Sequence, residues 1–459
     1  MEVFMFQLRN LSIAALLCSA SLAQAATIAI IDSGVDITHP DLAQHVWQNS
    51  SEILNSKDDD RNGFVDDING WNFFANSNEI IDLQYTSLYS DDIDQFFLVQ
   101  DKFLLGTATE ADIAWIQNKA QDPEFVSAIT KYGTFVHGTH VAGIAAKGND
   151  GAKVMTIRLV PIENPLLQLK KDIVRAQEGK TRMSGFTKLL IKGGLNLLAS
   201  AQGAAFGQVG GYANSGLADV ANASLGMSVV QARIIIVPLV KAAGGSETDT
   251  ALIDELAKHF LDKAVESQKK LATSAPKTLF VFASGNDGGN NDVFPVSPAN
   301  AGLENTMSVG ASVDFDSIAP FSNYGKKTVD VLAPGVGIVS SVPGNRYMSL
   351  SGTSQAAPYV AGIAAALKDA NPSLTPVQIK KIIIDTVDVK PALADKVKSS
   401  GIVNRERAIA AAASSTTLSL QAAIDAAKAS VDDQTSVHGF ENVDKVVPLP
   451  LELPIIAPL

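Results

Sequence analysis

Cysteine is nearly missing from this 459-residue chain, with Cys18 the single one. One thiol can build neither a disulfide framework nor a cysteine metal cage, so the fold and its chemistry rest on other groups. Aromatic residues are sparse at 6%, and the 36 Lys plus Arg fall short of the 48 Asp plus Glu, leaving a net charge of -12. Such a chain lacks the clustered cations that displace counterions from phosphate, which excludes a sequence-independent grip on nucleic acid. Long apolar runs are missing too. Val229–Val240 is broken by Gln231 and Arg233 and is too short to span a bilayer, so no stable membrane insertion is expected. What remains is a globular composition, long enough for one large domain with additions or for two domains.

The first residues read as an export signal. Leu11–Leu22 is a short apolar run after Arg9, and it ends in the small-residue pattern Ala23-Gln24-Ala25, which predicts a signal peptide over 1–25 and a secreted or periplasmic product. Cys18 lies inside that segment behind a bulky Leu17, a poor lipoprotein site, so the mature chain carries no thiol.

From Thr27 onward short β-rich runs alternate with helical stretches, the pattern of a parallel sheet covered on both faces. The predicted strands are Thr27–Asp32, Val154–Val160, Asp219–Leu225, Thr278–Ser284, Thr306–Val313 and Val329–Ala333, each a near-continuous apolar run. Helices are expected after His137, over Asp249–Leu271, after Ser354, and at Pro376–Asp385 and Arg405–Ala413. Two stretches break the alternation and read as surface insertions near the cleft. One, at about 79–132, is acidic and aromatic; the other, at about 163–217, has a basic patch and a glycine-rich end. Beyond Ala413 the composition shifts to a C-terminal tail, 414–459, whose spaced prolines from Pro448 on favour extended chain. That tail is expected to fold back as a stabilising arm or a cleft-blocking segment.

Three motifs carry chemistry. In Ile31-Asp32-Ser33-Gly34-Val35-Asp36 a buried strand ends in an acid, at the carboxyl edge where open α/β sheets place their ligands. His137-Gly138-Thr139-His140-Val141-Ala142-Gly143 reads as a histidine opening a small-residue helix. Ser351-Gly352-Thr353-Ser354-Gln355-Ala356-Ala357-Pro358 puts a serine at a helix start, with the proline expected in the first turn. A serine hydroxyl is a weak nucleophile, and hydrolysis needs a base beside it and a group that holds the base's tautomer. Singly these residues suit a turn, a core histidine and an N-cap; together they spell an Asp-His-Ser hydrolase. Either histidine could serve on spacing alone. Zinc catalysis is a poor rival, because His137 and His140 lack the adjacent glutamate of H-E-x-x-H.

In order and in sequence these motifs resemble the signatures of the subtilisin-like serine proteases, over about Thr27–Ala413 outside the insertions. The resemblance implies a three-layer α/β/α fold with a mainly parallel sheet and a catalytic domain over 26–413. It also implies a serine endopeptidase acting on proteins or peptides. It selects His137 as general base and leaves His140 to packing or hydrogen bonding. Ala283-Ser284-Gly285-Asn286-Asp287-Gly288 resembles the segment whose asparagine donates to the oxyanion, making Asn286 the electrostatic stabiliser together with the Ser354 N–H. Ser224-Leu225-Gly226 resembles the strand that pairs with substrate and walls the primary pocket opposite Gly285, with Asp287 at the rim. The family's other substrate-pairing strand falls in the second insertion, where nothing matches. Gln355 stands where the family more often has methionine. Relatives also place a folding prodomain before the first strand, whereas Thr27 follows the predicted cut almost at once. A catalytically silent binding or scaffold protein is the rival class; intact Asp32, His137, Asn286 and Ser354 speak against it.

Asp58-Asp59-Asp60-Arg61-Asn62-Gly63-Phe64 repeats the D-x-D-x-N-G start of a calcium loop, with Asp58, Asp60, Asn62, the Phe64 carbonyl and Asp67 as expected ligands. Asn69 replaces the closing glutamate of an EF-hand, so a different ligand is expected to complete the site. Similar acidic loops in subtilisin relatives bind structural calcium.

Overall fold

The computed structural model describes residues 25–163 and 185–435, except 314 and 316. The signal-peptide reading, the start of the second insertion and the proline-rich end lie outside the described residues.

The strands are β1 (Thr27–Asp32), β2 (Gly70–Asn72), β3 (Lys153–Arg158), β4 (Val220–Ala223), β5 (Leu279–Ala283), β6 (Thr306–Ser312), β7 (Val331–Pro334), β8 (Ile338–Val342), β9 (Arg346–Leu350), β10 (Asp388–Val389) and β11 (Gly401–Ile402). Nine form one sheet in the order β10-β11-β7-β6-β5-β4-β1-β3-β2. All of its pairs are parallel except β10–β11, while β8 and β9 form a separate antiparallel hairpin. The chain runs outward from β1 to β3 and then returns to lay β4 on the other side of β1. That reversal opens a crevice at the carboxyl ends of β1 and β4.

The longer helices are α1 (Asp91–Leu104), α2 (Glu110–Lys119), α3 (Pro123–Ala146), α4 (Gly185–Ser215), α5 (Val229–Ala242), α6 (Thr250–Gln268), α7 (Thr353–Ala370), α8 (Pro376–Asp385), α9 (Arg405–Ser414) and α10 (Leu420–Ser430). Side chains alternate across a strand, so a sheet buried on both sides feeds two cores. Ile28 and Ile30 of β1, with Leu279 and Val281 of β5, join α3, α7, α8, α9 and α10 in one core. Ala29 and Ile31, with Phe280 and Phe282, join Phe206, Val209 and Tyr212 of α4 in the other. The result is the expected α/β/α sandwich.

Several expectations are corrected. His137 does not open a helix: α3 begins at Pro123, capped by Asp122 whose side chain accepts from Glu124 and Phe125 N–H, and His137 lies in its middle. Gly138, costly in a free helix, is tolerated because that face is packed. The first insertion therefore ends as the opening turns of α3, and its remainder, α1 and α2, builds a satellite core with Tyr132, Phe135, Val342, Met348 and Leu350. The glycine-rich end of the second insertion is helix α4. Two of its glycines serve close approach, since a Cβ at Gly203 or Gly210 would stand 2.6 Å from Ser267 O or 2.1 Å from Leu271 O. The six predicted strands are present with ends shifted by two residues or fewer. Strands β2, β10 and β11 were not legible, because two- or three-residue strands have no alternation to read; the hairpin and helix α5 were also missed.

The tail begins later than composition implies. Ile424 and Ala427 of α10 enter the first core, and the chain beyond is pinned by a buried arginine. Arg407 donates to Asp388 Oδ1 at 2.8 Å, to the Val431 carbonyl at 2.8 Å and to Asp433 at 2.8 Å, with its side chain 7% exposed and that of Asp388 fully buried. Asn404 holds the Asp432 carbonyl at 3.0 Å. Residues 414–435 thus pack against the α/β/α body. Removing one partner of a buried pair strands the other, so Arg407→Ala lowers unfolding free energy by roughly 3–5 kcal/mol in urea titration. A chain ending at Ala413 that melts at the wild-type temperature would contradict the stabilising arm expected of the tail.

Candidate active site

Asp32 is the last residue of β1 and is 2% exposed. Its Oδ1 accepts the Ser33 N–H at 2.7 Å and faces His137 Nδ1 at 2.8 Å. The backbone permits this. At Gly34, with φ +120°, a Cβ would stand 2.4 Å from the Ile80 carbonyl oxygen, and at Gly138 one would stand 2.3 Å from the Gly34 carbonyl oxygen. Only glycines let α3 lie this close on the turn after β1. Two side chains stitch the contact: Ser33 Oγ accepts the Gly138 N–H at 3.2 Å, and Thr139 Oγ1 accepts the Asp36 N–H at 2.9 Å.

The serine arrives from the other side of the crevice. Ile30 pairs with Asn222, so two residues on Asp32 and Ser224 leave neighbouring strands at one level. The Ser354 hydroxyl donates to the Ser224 carbonyl at 3.4 Å, and Ser224 Oγ donates to the Ser354 carbonyl at 2.9 Å. That second bond has a sequence cause. Pro358 is the sixth residue of α7, not in its first turn as expected, and without an N–H it leaves the Ser354 carbonyl free for Ser224. Among the described residues Ser354 makes no hydrogen bond to His137 in this state.

Asn286 is oriented by Thr353. Its Oδ1 accepts both the N–H and the hydroxyl of Thr353 at 2.8 Å each, which turns the amide nitrogen away, toward Gly352. Its loop is braced by buried Asn323, whose Oδ1 accepts the Asp287 and Gly289 N–H groups at 2.9 Å each. Neither Thr353 nor Asn323 was singled out from the sequence; their roles are purely positional. A pocket opens beside Ser354, with Ser224, Leu225 and Gly226 on one wall, Gly285, Asn286 and Asp287 on the other, and Gln231 and Val296 also lining it.

The two histidines differ sharply. Burial works against a charged His137 ring, but the charge and hydrogen bond of Asp32 outweigh it and hold the pKa above the ordinary value of about 6.5. His140 is fully buried, with Nε2 3.0 and 3.1 Å from the carbonyl oxygens of Ile338 and Met348, and burial pulls it down to about 3. Lying against carbonyl oxygens of both hairpin strands, the imidazole ties α3 to the hairpin.

In the acidic loop, oxygens of Glu52, Asp58 and Asp60 lie within 4.8 Å of one another. Glu52, 5% exposed, accepts the N–H groups of Asp59 at 2.7 Å, Asp60 at 3.0 Å and Asp66 at 3.0 Å. Sequence reading missed it because it precedes the D-x-D pattern. Asn62 and Asp67 are adjoining, since Asn62 Nδ2 donates to Asp60 and Asp67 at 3.1 Å each. Phe64 sends its ring away into a cluster with Trp71, Phe73 and Tyr212. The carboxylates are hard donors of the kind calcium takes, whereas Asn62, expected as an oxygen ligand, turns its nitrogen toward them while its Oδ1 accepts the Phe64 N–H at 2.8 Å.

By fold, the chain is a three-layer α/β/α protein with polar residues gathered at the carboxyl edge of a parallel sheet. The model of the subtilase family matches residues 23–406. Alkaline elastase YaB from Bacillus sp. (strain YaB) is 32% identical over 283 residues, covering 56% of this chain and 72% of the elastase. Subtilisin BL from Lederbergia lenta is 42% identical over 148 residues, covering 32% of this chain and 50% of that protein. Subtilisin-like protease 1 of Plasmodium vivax is 26% identical across 86% of this chain and 48% of its own length. The chain belongs to the subtilase family, and with it to the serine-type endopeptidases.

If the Gly138 contact sets the Asp32–His137 geometry, Gly138→Ala, which drives a methyl into the Gly34 carbonyl, lowers kcat by about a hundredfold while the protein stays folded. Peptide hydrolysis alongside circular dichroism checks this.

Proposed function

We propose that Asp32, His137 and Ser354 form the catalytic triad of a secreted endopeptidase, with Asn286 and the Ser354 N–H holding the oxyanion. The observation that carries this reading is the 2.8 Å bond from Asp32 to His137, on the same rim as Ser354. In the reaction His137 Nε2 takes the Ser354 proton as the hydroxyl oxygen attacks the peptide carbonyl. The carbonyl oxygen becomes negative and receives hydrogen bonds from Asn286 Nδ2 and the Ser354 N–H. His137 then gives its proton to the departing amine, leaving an acyl-enzyme. Water, deprotonated by His137, releases the acid and restores Ser354. Asp32 keeps the ring oriented and stabilises its charged form. Substrate lies as an added strand on Ser224-Leu225-Gly226, with the side chain before the cut in the pocket against Gly285 and Asp287.

The catalytic domain is read as 26–413 with the arm to 435 packed on it. Export rests on the residues ending at Ala25; no helix among the described residues is long and apolar enough to cross a membrane. Calcium is proposed as a structural ion on Asp58, Asp60 and Glu52, with Asn62 and Asp67 beside them, where it neutralises carboxylates that otherwise repel one another.

A fluorophosphonate labels the wild type and not Ser354→Ala; an unlabelled wild type defeats the triad. Because only neutral His137 is a base and Asp32 raises its pKa, labelling increases with pH through an inflection above about 6.5. A rate flat from pH 6 to 7.5 opposes the assignment of His137. For the ion, chelation lowers the melting temperature of the wild type and not of Asp58→Ala/Glu52→Ala; equal melting curves with and without chelator remove the site.

A further inference from the structure

Helix α1 belongs to the first insertion, yet it carries a carboxylate into the approach to the nucleophile. Asp101 is 5% exposed. Its Oδ1 accepts the Ser351 hydroxyl at 2.6 Å, and its Oδ2 accepts the hydroxyl of Ser349. Serine hydroxyls and burial are the influences on this carboxyl, with no cation among them. A carboxylate sealed from water without a counter-ion is expensive, and an apolar side chain would dock α1 at lower cost. Docking already has its apolar contacts: Phe96, Val99 and Phe103 of α1 share a core with Met348 and Leu350. What Asp101 adds is direction. Two charge-assisted bonds fix a strand end and the first residue beyond it.

From there to the nucleophile each residue is held in turn. Ser351 Oγ also accepts the Gly337 N–H at 2.8 Å. The Gly352 N–H donates to the Gly335 carbonyl at 2.8 Å, and the Thr353 N–H to Asn286 Oδ1 at 2.8 Å. Ser354 follows. The contacts after Ser351 lie within the α/β/α body, while the bond at Ser351 to Asp101 is contributed by the insertion.

We propose that Asp101 is a positioning residue for Ser354, through which the inserted helices hold the nucleophile's loop in register with His137. This rests on the triad reading, and its test separates the two. The kcat and KM for a chromogenic peptide and the rate of fluorophosphonate labelling are measured for wild type, Asp101→Ala, Asp101→Asn, Ser351→Ala and the Asp101→Ala/Ser351→Ala pair, well below their melting temperatures. Asp101→Ala and Ser351→Ala each lower kcat and labelling by roughly ten- to a hundredfold with KM within about twofold. Asp101→Asn, whose amide oxygen still accepts one serine, recovers most of the loss, and the pair is no worse than Asp101→Ala alone. Wild-type kcat in folded Asp101→Ala, or a loss confined to KM, overturns the proposal. Should Asp101→Ala not fold, wild-type kcat in Ser351→Ala overturns it equally. A labelled wild type with unlabelled Ser354→Ala beside either result leaves the triad standing; an unlabelled wild type removes the triad and this role with it.

Discussion

The site depends first on the close approach of helix α3 to the turn that follows β1. A Cβ at Gly138 would fall 2.3 Å from the Gly34 carbonyl oxygen, so helix and turn meet backbone to backbone. Everything on one side of the cleft depends on that contact. It brings His137 to a carboxylate that has just left the sheet, and it lets Ser33 and Thr139 bind across the gap. The strand itself cannot move to compensate, because β1 is hydrogen-bonded to β3 and β4 on its two edges and packed on both faces.

On the other side of the cleft the control is polar. Pro358 removes one helical bond and thereby exposes the Ser354 carbonyl to Ser224, while Thr353 consumes the oxygen of Asn286 and leaves its nitrogen toward Gly352. Donors prearranged in this way need no reorganisation when charge develops on a substrate oxygen. The inserted helices reach the same region from outside through Asp101.

The two histidines show why partners matter more than residue type. One turn apart on α3, they are pushed in opposite directions: Asp32 favours a charged His137, while burial lowers the pKa of His140 despite its two carbonyl partners. Spacing alone could not separate them. The same holds in the acidic loop, where Asp58, Asp60 and Asn62 declare themselves by pattern but Glu52 joins them only because the chain folds back.

The apolar runs of β1, β3, β4, β5, β6 and β7 determined the sheet by themselves, since a strand buried on both faces has little freedom in what it can contain. Asp32 and Ser354 stood out as candidates because their neighbours, glycine, proline and small residues, are demanded by the local backbone, whereas Asn286 was singled out only by the resemblance of its segment to the family. Tertiary structure alone decided the rest. Whether a glycine-rich stretch is a loop or, as in α4, a closely packed helix depends on a facing backbone that sequence does not display. The same is true of a lone carboxylate such as Asp101, whose serine partners lie 248 and 250 residues along the chain and meet it only once the layers have closed.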